Sequence, residues 1–286
     1  MTQTRPALTL HGKSYKLMAF DLDGTLLGED GKIHPRNLEA LGKVHSMGIP
    51  LVVATGRIYP GARLFADQLD PEAPVISMNG AYIAAGGTLI HKVEIPVEQC
   101  FEAVDFLSAR GVYWHVYLEN GLIASELAHG ALYYHNLNKT LPPERVLPID
   151  IPENPVKALK SRKDGILKFI VMSEDANMLQ QAIPFFTQHN LSITSSWHNN
   201  FEVMAPGIHK GFGLSAVCSF LGIQPSECIA FGDNRNDLEL LETAGFAVAM
   251  ENAEREIKAA ADMIAPHYTK GGVGAAVEEL FGGQLN

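Results

Sequence analysis

Short apolar runs alternate with stretches of helical periodicity at both ends of the chain. Leu17-Met18-Ala19-Phe20 reads as a short buried strand. Residues 35–47 carry Leu38, Leu41 and Val44 on one helical face, and Gly48 supplies a stop. A second apolar strand spans 49–54, a helix 61–68, and a third strand 75–78. This alternation predicts a parallel sheet covered by helices. The rhythm changes near Ala81, where 82–84, Gly86-Gly87 and 88–93 read as a hairpin. A helix (97–109), an alternating strand (112–118), a strand-like stretch after Gly121 and a helix (127–137) follow. Pro142-Pro143 and the stretch from Pro152 to Pro155 then break the pattern. A strand (166–172), a helix (176–188) and strands at 191–195 and 201–204 resume it.

From Ala205 the crossover rhythm returns, with helices at 210–221, 237–244, 253–260 and 273–280 and strands at 228–231, 247–250 and 263–264. The expected fold class is α/β: a parallel-sheet core, discontinuous in sequence (1–83 and 201–286), with an α+β domain (84–200) inserted into it. Residues 1–15 read as a polar lead-in with an extra strand around 8–10.

Composition narrows the class without naming a chemistry. The 286 residues, 47% hydrophobic and 19% charged, describe a globular chain long enough for two domains. The formal charge of −10 argues against nucleic acid or an anionic membrane as the main partner. Cys100, Cys218 and Cys228 are scattered, without metal-binding spacing, and read as buried thiols. The first sixteen residues lack the apolar segment of a secretory signal, and no apolar stretch approaches the ~20 residues that span a bilayer. A cytoplasmic protein is expected.

The chemistry sits at predicted strand ends, where parallel sheets bind ligands. The first strand ends in Asp21-Leu22-Asp23-Gly24-Thr25. Residues two apart on a strand point the same way, so Asp21 and Asp23 leave it together, and Gly24 lets the chain turn sharply. Adjacent carboxylates repel, and a bound cation keeps both ionised; oxygen-only ligands favour a hard ion such as Mg²⁺. The second strand end carries Thr55-Gly56-Arg57, a hydroxyl and a backbone N–H suited to an anionic oxygen. A later one carries Gly232-Asp233-Asn234-Arg235-Asn236-Asp237, with Asp233 and Asp237 one helical turn apart. Lys210 opens a helix just after the insert, where its ammonium and the helix N-terminus can both meet an anion.

These four motifs in this order resemble the haloacid dehalogenase-like (HAD) superfamily, mostly phosphatases on a Rossmann-like core. The position and size of the insert look like the Cof-type branch (subclass IIB) with its α/β cap. That resemblance covers nearly the whole chain after residue 15. It implies a Mg²⁺-dependent phosphatase acting through an aspartyl phosphate on a small phosphorylated metabolite, most often a sugar phosphate in this branch, as a monomer or small homo-oligomer. It also implies Asp21 as nucleophile and Asp23 as general acid and base, its backbone carbonyl on the metal. Mg²⁺ would be held by Asp21, Asp23 and Asp233, with Asp237 in support, and the phosphoryl oxygens by Thr55, Gly56, Lys210 and Asn236. Where family members store the phosphoenzyme, the second acidic position is not an aspartate; Asp23 therefore points to turnover.

Other assignments stay open at this point. Asp237 reads equally as a helix N-terminal acid without metal contact, and Arg57 as a substrate contact or a partner for a domain-edge acid. On the alternating strand, Tyr113, His115 and Tyr117 share one face and Val112, Trp114, Val116 and Leu118 the other. The first face is a candidate for leaving-group recognition, or else a partly solvated sheet face; Asn79 and Gly80 join it as candidate specificity positions. Tyr133-Tyr134-His135 and Trp197-His198 show no zinc-ligand spacing. A phosphomutase on the same core and an inactive ligand-binding regulator are the rival functions. A dinucleotide-binding oxidoreductase lacks its glycine fingerprint here.

Overall fold

The computed structural model describes residues 5–285. In chain order its regular elements begin with β1 (Leu8–Leu10), β2 (Lys13–Tyr15), β3 (Leu17–Phe20), α1 (Pro35–Ser46), β4 (Leu51–Ala54), α2 (Tyr59–Leu69) and β5 (Val75–Ser77). Next come β6 (Tyr82–Ala85), β7 (Thr88–Lys92), α3 (Phe101–Ser108), β8 (Tyr113–Tyr117), β9 (Leu122–Ala124), α4 (His129–Asn138), β10 (Ile149–Asp150) and α5 (Pro155–Lys160). They continue with β11 (Lys168–Met172), α6 (Ala176–Ala182), α7 (Pro184–Thr187), β12 (Ser192–Thr194) and β13 (Asn200–Met204). The last are α8 (Lys210–Leu221), β14 (Cys228–Gly232), α9 (Leu238–Thr243), β15 (Phe246–Met250), α10 (Arg255–Ala259), β16 (Met263–Ala265) and α11 (Gly272–Phe281). The helix expected over 176–188 is two pieces, α6 and α7. Pro184 lacks the N–H that would continue the first.

The chain divides into two compact units: residues up to 56, 62–91 and from 209 onward form the first, and 57–61 with 92–208 the second. The boundaries differ from those expected at 83/84 and 200/201. The hairpin strands β6 and β7 complete the first unit's sheet, and β13 pairs within the second.

The first unit holds an eight-stranded sheet in the order β16-β15-β14-β3-β4-β5-β6-β7, parallel from β16 to β5, with β6 antiparallel to β5. Strands buried on both faces read as continuous apolar runs, and every residue of β3, β4 and β14 is buried. Leu17, Ala19, Val52, Ala54 and Ile76 of the sheet pack with Leu214, Val217 and Cys218 of α8. From β3 the chain moves to β4 on one side and later returns to β14 on the other. The strand order therefore reverses at β3, and the carboxyl ends of β14, β3 and β4 surround the switch point where such sheets bind ligands.

The second unit holds a six-stranded sheet, β10-β9-β8-β11-β13-β12. One face of β8 packs towards α3: the Trp114 indole stacks on Phe169 at 5.7 Å and its N–H donates to Ser108 Oγ at 2.9 Å. The other face is covered by α4. The Ala131 N–H donates to Tyr113 Oη at 3.2 Å, the Tyr117 and Tyr134 rings meet edge to face, and a Cβ on Gly130 would lie 2.9 Å from His115 Cε1. Tyr113, His115 and Tyr117 are thus buried beneath a helix of their own unit, which corrects the expectation of an open recognition face. A buried ion pair, Lys168 with Glu202 at 2.8 Å, links β11 and β13.

Candidate active site

Register places the chemistry. Phe20 of β3 pairs with Val53 of β4 and with Phe231 of β14, so Asp21, Thr55 and Asp233 emerge from three adjacent strand ends, each ~4.8 Å from the next. The Asp21 N–H donates to the Phe231 carbonyl at 3.0 Å, stitching the first and third ends together. Thr55 is pinned through its backbone, its N–H on Ile76 O (2.8 Å) and its carbonyl accepting from Asn79 N–H (3.1 Å).

Gly24 makes the turn after Asp21 possible in two ways. Its φ of +83° is the left-handed region that side chains avoid, and a Cβ there would overlap the Asp233 carboxylate. The loop from β3 and the loop from β14 consequently touch. Thr25 Oγ1 donates to Asp233 Oδ1 at 3.0 Å.

α8 delivers the cation. Gly211 and Gly213 leave no side chain between α8 and its neighbours; Cβ atoms there would overlap the Glu239 carbonyl of α9 and Ile76 of β5. Lys210, at the start of this helix, is fully buried, with Nζ 2.6 Å from Asp21 Oδ1 and 2.6 Å from Asp237 Oδ1. Burial alone would push the ammonium down, but the two carboxylates outweigh it and hold its pKa above the ordinary lysine value. Burial pushes Asp21 well up, opposed by Lys210 and reinforced by Asp237, Asp233 and Asp23. Asp233 is raised to about 7, first by burial and then by Asp237.

Asp21, Asp233 and Asp237 each offer a carboxylate oxygen within 4.8 Å of the others. Three carboxylates and one ammonium leave a formal −2, the charge that a divalent cation neutralises. The all-oxygen donor set suits a hard ion such as Mg²⁺. Asp237 is engaged elsewhere: Oδ1 takes Lys210, and Oδ2 accepts from the N–H groups of Asp233 (3.0 Å) and Asn234 (3.1 Å). Of its two readings the geometry favours the acid that holds a loop and a lysine, leaving Asp21 and Asp233 as the better-placed ligands. The Asp23 side chain is exposed and outside this cluster.

The remaining expected residues separate. Asn236 is buried in the first unit, its Nδ2 donating to Asn79 Oδ1 at 3.3 Å. Gly80 backs the start of α8, where a Cβ would sit 2.7 Å from the His209 carbonyl. Asn79 and Gly80, the candidate specificity positions, are buried and meet Asn236 and the start of α8 respectively. Arg57 lies in the second unit, where its guanidinium donates to Tyr133 Oη at 2.7 Å. Sequence reasoning missed Asn252, just beyond β15, which donates to both Gly24 O (2.9 Å) and Asp233 Oδ2 (3.0 Å).

Comparison with known proteins agrees with this architecture. Residues 18–277 match the family model of haloacid dehalogenase-like hydrolases. The pyridoxal phosphate phosphatase YbhA of Escherichia coli is 28% identical over 87% of this chain and 92% of its own length. The 5-amino-6-(5-phospho-D-ribitylamino)uracil phosphatase YwtE of Bacillus subtilis is 29% identical over 94% of this chain and 99% of its own. A solved haloacid dehalogenase-like hydrolase from B. subtilis superposes with a TM-score of 0.80 at 26% identity, covering 93% of this chain and 99% of that one. A subclass IIB sugar phosphatase shares the fold, with a TM-score of 0.76 at 24% identity over 92% of this chain and 98% of that one. The motifs at three strand ends, the buried lysine and a match running almost the length of the chain lead to one assignment: this chain belongs to the haloacid dehalogenase-like hydrolase family.

Proposed function

We propose that this protein is a Mg²⁺-dependent phosphatase that hydrolyses a small phosphorylated metabolite, a sugar phosphate first among them, through an aspartyl phosphate on Asp21. The observation that carries the reading is the buried Lys210 held between Asp21 and Asp237, with Asp233 beside them, at the reversal point of the parallel sheet. Bound to Asp21, Asp233 and the Asp23 carbonyl, Mg²⁺ would neutralise charge on the phosphoryl group.

With Asp21 Oδ1 committed to Lys210, attack on phosphorus falls to Oδ2. The bond from Oδ2 to phosphorus forms as the ester P–O bond breaks, and the departing alkoxide takes a proton from the Asp23 carboxyl. The resulting Asp23 carboxylate then takes a proton from water, whose oxygen attacks phosphorus and frees Asp21 as inorganic phosphate leaves. Splitting one displacement into two is the gain of a carboxylate nucleophile. Lys210, Thr55, the Gly56 N–H and Asn236 would hold the phosphoryl oxygens, an arrangement of fixed donors aimed at developing charge.

Phosphate release across a panel of sugar phosphates, pyridoxal phosphate and phosphorylated ribityl compounds tests this, with and without Mg²⁺. Release that needs Mg²⁺ and disappears in Asp21→Asn is expected. Isomer interconversion without free phosphate would identify a phosphomutase instead. No turnover by a folded, Mg²⁺-loaded protein would support a binding role.

A further inference from the structure

Three loops meet at the candidate metal site, and a single amide joins them. Asn252 stands two residues beyond the end of β15, the strand next to β14. Its Nδ2 donates to Asp233 Oδ2 at 3.0 Å, in the loop after β14, and to Gly24 O at 2.9 Å, in the loop after β3. Its Oδ1 accepts from the Tyr268 N–H at 3.4 Å. Two acceptors on one side and a donor on the other set the orientation of the amide, because the flipped form would put oxygen against a carboxylate and a carbonyl.

We infer that Asn252 is a positioning residue for the divalent cation, fixing Asp233 and the Gly24 turn relative to each other; this rests on the Mg²⁺ reading above. Asp233 has one donor on each oxygen, Thr25 Oγ1 on Oδ1 and Asn252 Nδ2 on Oδ2, and each comes from a different loop. A carboxylate held this way keeps its rotamer while one lone pair of each oxygen remains for a cation. The same Nδ2 restrains the Gly24 carbonyl, one residue after the Asp23 carbonyl expected on the metal. Asparagine fits the position because it donates without charge. An acid there would face Asp233 with like charge, and an apolar residue would leave both acceptors with one donor fewer.

The test is Mg²⁺ binding by titration calorimetry to wild type, Asp233→Asn and Asn252→Ala, with thermal melting of each and phosphate release measured against Mg²⁺ concentration. Removing a hydrogen-bond partner of a metal ligand typically weakens metal binding about 10–100-fold. Asn252→Ala is expected to raise the Mg²⁺ dissociation constant by about that factor, to move half-saturating Mg²⁺ in parallel, and to recover most of kcat at saturating Mg²⁺. A residue that only stabilises the fold would lower Tm and leave the Mg²⁺ constant where it was. That result in a folded variant overturns the inference. If Asn252→Ala does not fold, Asn252→Ser, which keeps a polar group too short to span both acceptors, is read by the same criteria. Wild type that binds no Mg²⁺ would overturn the metal reading itself, and Asp233→Asn binding like wild type would remove Asp233 as the ligand being positioned.

Discussion

Removing the Lys210 ammonium would leave the Asp21 and Asp237 carboxylates buried and facing each other with nothing between them. Breaking a buried ion pair by deleting one partner typically costs about 3–5 kcal/mol, since the remaining charge keeps its desolvation penalty. Lys210→Ala is therefore expected to lower stability by about that amount and to abolish phosphate release. Denaturant unfolding and a turnover assay check it, and a variant as stable as wild type would contradict the charge balance described here. Lys210 was legible in the sequence because a lysine opening a helix after a long insert is a positional signal. Asn252 was not, although the rule that sent attention to three strand ends applies equally to β15. A lone asparagine carries no motif; its meaning lies in two acceptors brought to it by loops more than two hundred and nearly twenty positions away.

At the scale of elements, the apolar runs β3, β4 and β14 and the helix α1 are where periodicity placed them, because two-sided burial and helical amphipathicity write directly into sequence. β2 is three residues with only one buried, and β10 is two residues in a proline-broken stretch; neither is long enough to show a period. The hairpin β6–β7 was visible as a hairpin, but local pairing does not say which sheet a strand pair joins. The alternation of β8 was likewise correct while its exposure was not, since α4 covers the aromatic face. That packing encloses His115, whose two ring nitrogens have no hydrogen-bond partner among the described residues.

Burial, then Lys168 of β11 and His129 of α4, lower the His115 pKa from 6.5 to about 3, and Glu202 is committed to Lys168. The folded state thus keeps the neutral ring, while an unfolded chain takes up a proton below pH 6.5. The contribution to stability is fully present above that value and is lost as pH falls towards 3. Between pH 6.5 and 4.5, wild type should lose about 2–3 kcal/mol more than His115→Leu. Denaturant unfolding of the second unit, followed over a pH series, checks this. Equal slopes would show that the ring is not held neutral.

The whole molecule assigns its chemistry to one discontinuous unit. Residues from both ends of the chain, Asp21 and Thr25 from one and Lys210, Asp233, Asp237 and Asn252 from the other, converge only because a parallel sheet reverses its strand order at β3. Among the described residues no helix is long and apolar enough to cross a membrane. In the proposed reaction Asp21 carries the phosphoryl group. The most direct measurement incubates Asp23→Asn, in which the water-activating carboxylate is gone, with Mg²⁺ and acetyl phosphate, whose leaving carboxylate needs no proton from Asp23, then maps its peptides by mass spectrometry. One phosphoryl group on the peptide containing Asp21, absent without Mg²⁺ and absent when Asp21→Asn is added, is the result predicted. Turnover by wild type with no phosphorylated Asp21 peptide in the Asp23→Asn protein, or a phosphoryl group on another residue, would contradict it.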